Sequence, residues 1–175
     1  SPSPFAPNFY RMLCVNTPYL EILKAHVREI LEMFKADGLF FDIVVPVECC
    51  CRYCIAGMEK ACMDPTVKEN RQKFAEDVLN NFKIEMTDFI RKYNDSCTIF
   101  YNAGHAGPSM RKSVNAYTHL ELESLPSGAW GYLHFPMAVS YARTLGAKCI
   151  GMTGKFHTFW GDFHSFKNPA ALEYE

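Results

Sequence analysis

Gly38-Leu39-Phe40-Phe41-Asp42, followed seven residues after the acid by Cys49-Cys50-Cys51-Arg52-Tyr53-Cys54, is the stretch whose reading decides the fold. The run from Leu39 to Val45 is apolar apart from Asp42, which fits a parallel strand covered on both faces, and Pro46 ends it. A buried strand that delivers a carboxylate and then opens into a loop of thiols is the way a (β/α) barrel builds its active face. The chain therefore reads as a fragment of an enzyme.

Working outward, the same strand-then-helix order repeats. Phe9 to Val15 reads as a strand closed by Asn16-Thr17-Pro18, after which Leu20, Leu23, Val27, Ile30, Leu31 and Phe34 fall at helical spacing up to Asp37-Gly38. After the cysteine loop, Asp64-Pro65-Thr66 opens a long helix whose Phe74, Val78, Phe82, Met86, Phe89, Ile90 and Tyr93 form one core-facing stripe. A third strand runs from Cys97 to Asn102. A fourth runs from Tyr117 to Leu122 and on into Glu123, a helix contains Met137 to Leu145, and a fifth strand spans Cys149 to Thr153. The alternation predicts a parallel sheet with right-handed crossovers. Because a full barrel takes about 250 residues, the 175 residues read as one catalytic fragment, a partial TIM (β/α)8 barrel, with no closing helix expected before Glu175. An open doubly wound sheet fits less well, since no glycine-rich phosphate loop follows any strand.

Composition narrows the class. A net charge of −1 argues against a nucleic-acid or membrane-surface partner, and no apolar run is long enough to span a bilayer. The eight cysteines are clustered instead of scattered, which suits a reducing compartment such as the cytoplasm better than a disulfide scaffold.

Acids at the ends of barrel strands converge even when far apart in sequence, and Asp42 occupies such an end. His119, Glu121 and Glu123 recur every second residue, so a strand sends all three to one side. Unpaired buried carboxylates are costly, so that side must be polar and wet, unless Glu121 is paired with a nearby Lys or Arg. Two carboxylates from different strands are the minimum equipment for glycoside hydrolysis, one attacking or activating water and the other protonating the leaving oxygen. Catalytic candidates are thus Asp42 with Glu123, or with Glu121. Trp130 and Trp160 offer rings for stacking on a small carbohydrate, and His105, His119 and His157 offer hydroxyl ligands.

Cys49-x-Cys51-x-x-Cys54 has spacing suited to tetrahedral Zn²⁺, with Cys14, expected at the end of the neighbouring strand, as fourth ligand and Cys50 and Cys62 as spares. An all-cysteine site would be structural.

Two resemblances bear on these residues. Cys14-Val-Asn-Thr-Pro-Tyr19, the acid-tipped strand and the cysteine loop resemble the mid-barrel of family 42 β-galactosidases, where a four-cysteine zinc site lies at similar positions. Asp37 to Asp42, Tyr101-Asn-Ala-Gly-His105, His119 to Pro126, Gly151 to His157, Trp160-Gly-Asp162 and Ala170 to Glu175 resemble bacterial glycosyl hydrolases described as hypothetical or α-L-fucosidase-like. The second resemblance covers nearly all of residues 9 to 175 and implies roughly strands 3 to 7 of a (β/α)8 barrel. It places a nucleophile on Asp42 and an acid/base on Glu121 or Glu123. A β-galactosidase of family 42 would instead need a Glu on each of strands four and seven, and neither Asp42 nor Cys149 to Thr153 supplies one. The expected partners are the remaining barrel segments or further copies of the chain. A carbohydrate-binding or scaffold fragment without turnover is the alternative.

Overall fold

The computed structural model describes residues 12–103, 106–128, 130–154 and 166–174, which fall into two compact units. The first unit takes the chain up to Gly38 and then Val44–Cys97, and it is helical: α1 (Tyr19–Met33), α2 (Arg52–Lys60) and α3 (Lys68–Arg91). The turn before α1 is set by Thr17, whose hydroxyl donates to the Cys14 carbonyl at 2.7 Å and accepts from the Tyr19 N–H at 3.3 Å. Asp64 makes the turn before α3 by accepting from both the N–H and the hydroxyl of Thr66. Val27, Met58, Ala75, Phe82, Met86 and Ile90 form the core of this unit. The long stripe of α3 is as expected at Phe82, Met86 and Ile90, but Tyr93 is 42% exposed with its ring against Phe89, because the helix ends at Arg91. Arg91 turns back over that end to the carbonyls of Asp95 and Cys97.

The second unit, Leu39–Ile43 with Thr98–Glu175, holds the strands. β1 (Gly38–Phe41) pairs with β2 (Thr98–Tyr101), and β3 (Leu120–Ser124) pairs with β4 (Cys149–Thr153). Ring neighbours Phe40 with Phe100 and Phe41 with Tyr101 advance in step, so β1 and β2 run the same way. β3 and β4 are parallel in the register Leu120↔Cys149 to Ser124↔Thr153, joined through α4 (His134–Thr144). Thr118 ties β2 to the approach of β3: its N–H donates to the Ile99 carbonyl at 3.0 Å, and its hydroxyl accepts from the Ile99 N–H at 2.8 Å. α4 lies so close to β4 that a Cβ on Gly151 would stand 2.7 Å from the tip of the Phe135 ring.

Several expected boundaries move. Residues 12–15 are irregular and lead into a turn, the rest of the expected first strand lying outside the described residues. β1 is four residues long and pairs only with β2 among the described residues, which leaves Phe40 48% exposed where coverage on both faces was expected. The cysteine loop runs into a helix, α2, where the sequence predicts loop, and the chain does carry a late helix, α5 (Pro169–Tyr174). Among the described residues no helix is long and apolar enough to cross a membrane.

Candidate functional site

The end of β1 presents Asp42 one residue beyond the strand, and the chain there bends sharply. Ile43 adopts φ +54°, a left-handed backbone that β-branched residues rarely take, and its N–H donates to Asp42 Oδ1 at 2.9 Å. Asn102 follows β2 directly, and its backbone N–H donates to the Phe41 carbonyl at 2.7 Å. Its side chain is therefore delivered beside Asp42. The Asn102 amide nitrogen lies 2.9 Å from Asp42 Oδ1 and 2.9 Å from Glu123 Oε2. Two legs of 2.9 Å put those two oxygens no more than 5.8 Å apart, and the fork of a primary amide brings them to about 5 Å. Carboxylates only accept, so the amide must turn its nitrogen, and not its oxygen, toward them.

On β3 the side chains alternate, Leu120, Leu122 and Ser124 buried and Glu121 and Glu123 half-buried between them. The two glutamates have different partners. Glu121 Oε1 lies 2.8 Å from His119 Nε2, and His119 Nδ1 lies 2.9 Å from the Thr118 hydroxyl. The single hydroxyl proton of Thr118 goes either to His119 Nδ1 or to the Ile99 carbonyl, 3.1 Å away. When it goes to His119 Nδ1, a neutral ring carries its own proton on Nε2 and donates it to Glu121. The His119 ring also stacks on Phe100, centroids 5.9 Å apart. Asn102, Glu121 and Glu123 line a cavity of about 20 Å³ with Phe100, Met110 and Ala138, room for about one water and too small for a sugar.

Trp130 packs its ring on His134, whose Nδ1 stands 3.2 Å from the Ser124 hydroxyl. Ser124 points to the opposite side of β3 from Glu123, so this contact carries Trp130 toward α4. His105, His157 and Trp160 lie outside the described residues.

The first unit holds a second cluster. The sulfurs of Cys14, Cys49, Cys51 and Cys54 all lie within 4.8 Å of one another, with Cys14 and Cys54 3.5 Å apart. Tetrahedral Zn²⁺ with bonds near 2.3 Å needs sulfurs about 3.8 Å apart, so the donor set and its spacing suit that ion. Four local features build the cluster. The Thr17 turn fixes the Cys14 backbone, and Glu48 is held to α3 through Gln72 at 3.0 Å and Arg71 at 3.5 Å. Cys51 caps α2, which puts Cys51 and Cys54 at a helix N-terminus, where the dipole favours thiolates. Asn16 adds an N–H to Cys54 Sγ at 3.6 Å. Burial pushes the Cys14 thiol up to about 11 and pushes Cys54 up as well. At Cys51 burial also pushes upward, but the N–H groups of Cys54 and Tyr53 and the Cys49 thiol outweigh it, and that thiol is more acidic than usual. All eight cysteines are free thiols, and Cys50 and Cys62 are exposed and outside the cluster.

Comparison with protein-family models and with curated proteins finds no match. One comparison decides the reading: the chain is similar to a solved α-L-fucosidase. That structure is α-L-fucosidase isoenzyme 2 from Paenibacillus thiaminolyticus, 39% identical with a TM-score of 0.86 over 97% of this chain. The match takes in 26% of that protein, so the present chain spans about a quarter of its length.

Asn102 was not legible as a site residue from sequence. An asparagine at the end of an apolar strand reads as a strand stop, and only its place in Tyr101-Asn-Ala-Gly-His105 hinted otherwise.

Proposed function

We propose that the chain is the acid-bearing part, roughly strands 3 to 7, of a (β/α)8 barrel in a retaining glycoside hydrolase that acts on α-L-fucosides. Asp42 attacks the anomeric carbon while Glu123 gives its proton to the leaving oxygen. Glu123 then takes a proton from water, which cleaves the Asp42 glycosyl ester and restores both groups. The observation that carries the reading is the shared amide of Asn102, because it holds one oxygen of each acid within 5.8 Å of the other, in keeping with the close pair that retention uses, about 5–5.5 Å apart. Glu121, occupied by His119, is the weaker candidate for acid/base and serves with His119 as a wall for sugar hydroxyls. Fucoside as substrate rests on the similarity to the Paenibacillus enzyme. Cys14, Cys49, Cys51 and Cys54 would hold a structural Zn²⁺, whose closed four-thiolate shell ties the turn before α1 to the start of α2.

A second reading, a carbohydrate-binding or scaffold fragment, draws support from the small cavity beside the acids and from the quarter-length match. Initial rates with an aryl α-L-fucoside and an aryl galactoside, for the unaltered chain and Asp42→Asn, separate the two. Fucoside turnover lost in Asp42→Asn supports the hydrolase. Equal rates in both forms leave the scaffold.

A further inference from the structure

We infer that Asn102 is a positioning residue that spaces the two carboxylates and assigns which oxygen of each does the work, a role whose catalytic consequence rests on the hydrolase reading above. Asp42 and Glu123 are separated by the whole of α2, α3 and β2 in sequence, and neither strand by itself fixes their spacing. Asn102 does so from the residue between them. Its backbone is locked to the end of β1 through the Phe41 carbonyl, the residue is only 6% exposed, and its side-chain nitrogen reaches both acids at 2.9 Å.

The chemistry of the donor makes this more than a contact. A primary amide offers two protons in one plane, so each acid receives one, and the bond to the Asp42 carboxylate gains strength from its charge. Asp42 Oδ1 accepts from Asn102 and from the Ile43 N–H, which occupies its lone pairs and leaves Oδ2 as the attacking oxygen. Glu123 Oε2 is likewise engaged, leaving Oε1 to carry the transferable proton. Other side chains fail at this position. Aspartate would add a third acid, serine has one proton to give, and glutamine is a methylene too long.

The test uses the ¹⁵N-labelled chain of 175 residues. The two side-chain amide protons of Asn102 should respond separately, one shifting in Asp42→Ala and the other in Glu123→Ala. Protons that ignore either replacement, or that move together in both, overturn the bridge. Turnover of an aryl α-L-fucoside tests its consequence: Asn102→Ala should lower kcat about 100-fold with KM unchanged, and Asn102→Ser, which keeps one donor and less strain on folding, should fall between. Full kcat in Asn102→Ala overturns the positioning role. An unaltered chain that turns over no fucoside bears on the hydrolase reading and not on the bridge, which the amide protons still decide.

Discussion

Ile43 donates its N–H to Oδ1 of Asp42 at 2.9 Å, from a backbone held at φ +54°. A left-handed turn at a residue with a branched Cβ costs about 1–2 kcal/mol, and here it sits directly after the acid. The bend re-aims the carboxylate and supplies it with a fixed donor.

Ile43→Gly should therefore be tolerated, since glycine takes the same backbone and keeps the N–H, with a melting temperature close to that of the unaltered chain. Ile43→Pro removes the donor and cannot reach a positive φ, and should cost more than about 1 kcal/mol. A melting experiment that ranks the two the other way would show that the turn at Ile43 is not strained.

The different partners of Glu121 and Glu123 predict different kinetics. Glu123→Gln should lower kcat/KM on a fucoside with a poor leaving group by about 10²–10⁴-fold. Glu121→Gln should cost less than about 10-fold, because its carboxylate is already bound to His119. Losses in the reverse order would move the acid role to Glu121.

For the cysteine cluster, elemental analysis should find one Zn²⁺ per chain, lost in Cys54→Ala and kept in Cys62→Ala, with metal removal destabilising the first unit by several kcal/mol. A metal-free protein purified without chelator would reduce the cluster to ordinary thiols.

Lys83 sits in the core stripe of α3 at 3% exposure, and burial lowers its ammonium from the ordinary 10.5 to about 8. The folded chain then releases the proton earlier than the unfolded chain does. The penalty for holding the charge is fully present below pH 8 and is relieved as pH rises from 8 to 10.5, so this residue makes stability increase with pH across that window. The stability of the unaltered chain relative to Lys83→Met should therefore improve as pH rises from 8 to 10.5. Denaturant melts of the two forms that differ by the same amount at every pH would contradict the assignment.

The parts of the fold legible in sequence are those with a long period. The α3 stripe through Phe82, Met86 and Ile90 and the strand Cys149–Thr153 stand where spacing put them. Short or diverted elements were not legible. α2 opens on cysteines and contains Gly57, which propensity alone reads as loop, yet burial of Cys54 and Met58 holds it helical. β3 begins at Leu120 and not at Tyr117, because Thr118 spends its N–H and hydroxyl on Ile99. The alternation on β3 was readable, whereas the distinction between Glu121 and Glu123 was not, since it depends on His119 and Asn102 as neighbours in space. The four thiols could be picked from spacing, but Cys14 reaches them from an irregular turn and not from a strand end.

The central claim, that Asp42 is the nucleophile of a retaining glycosidase, is tested most directly by trapping its intermediate. Incubation with 2-deoxy-2-fluoro-α-L-fucosyl fluoride, followed by proteolysis and mass spectrometry, should find a single fluorofucosyl ester on the peptide containing Asp42 and none in Asp42→Asn. An ester on another residue, or consumption of the fluoride with no ester at Asp42, would contradict the account.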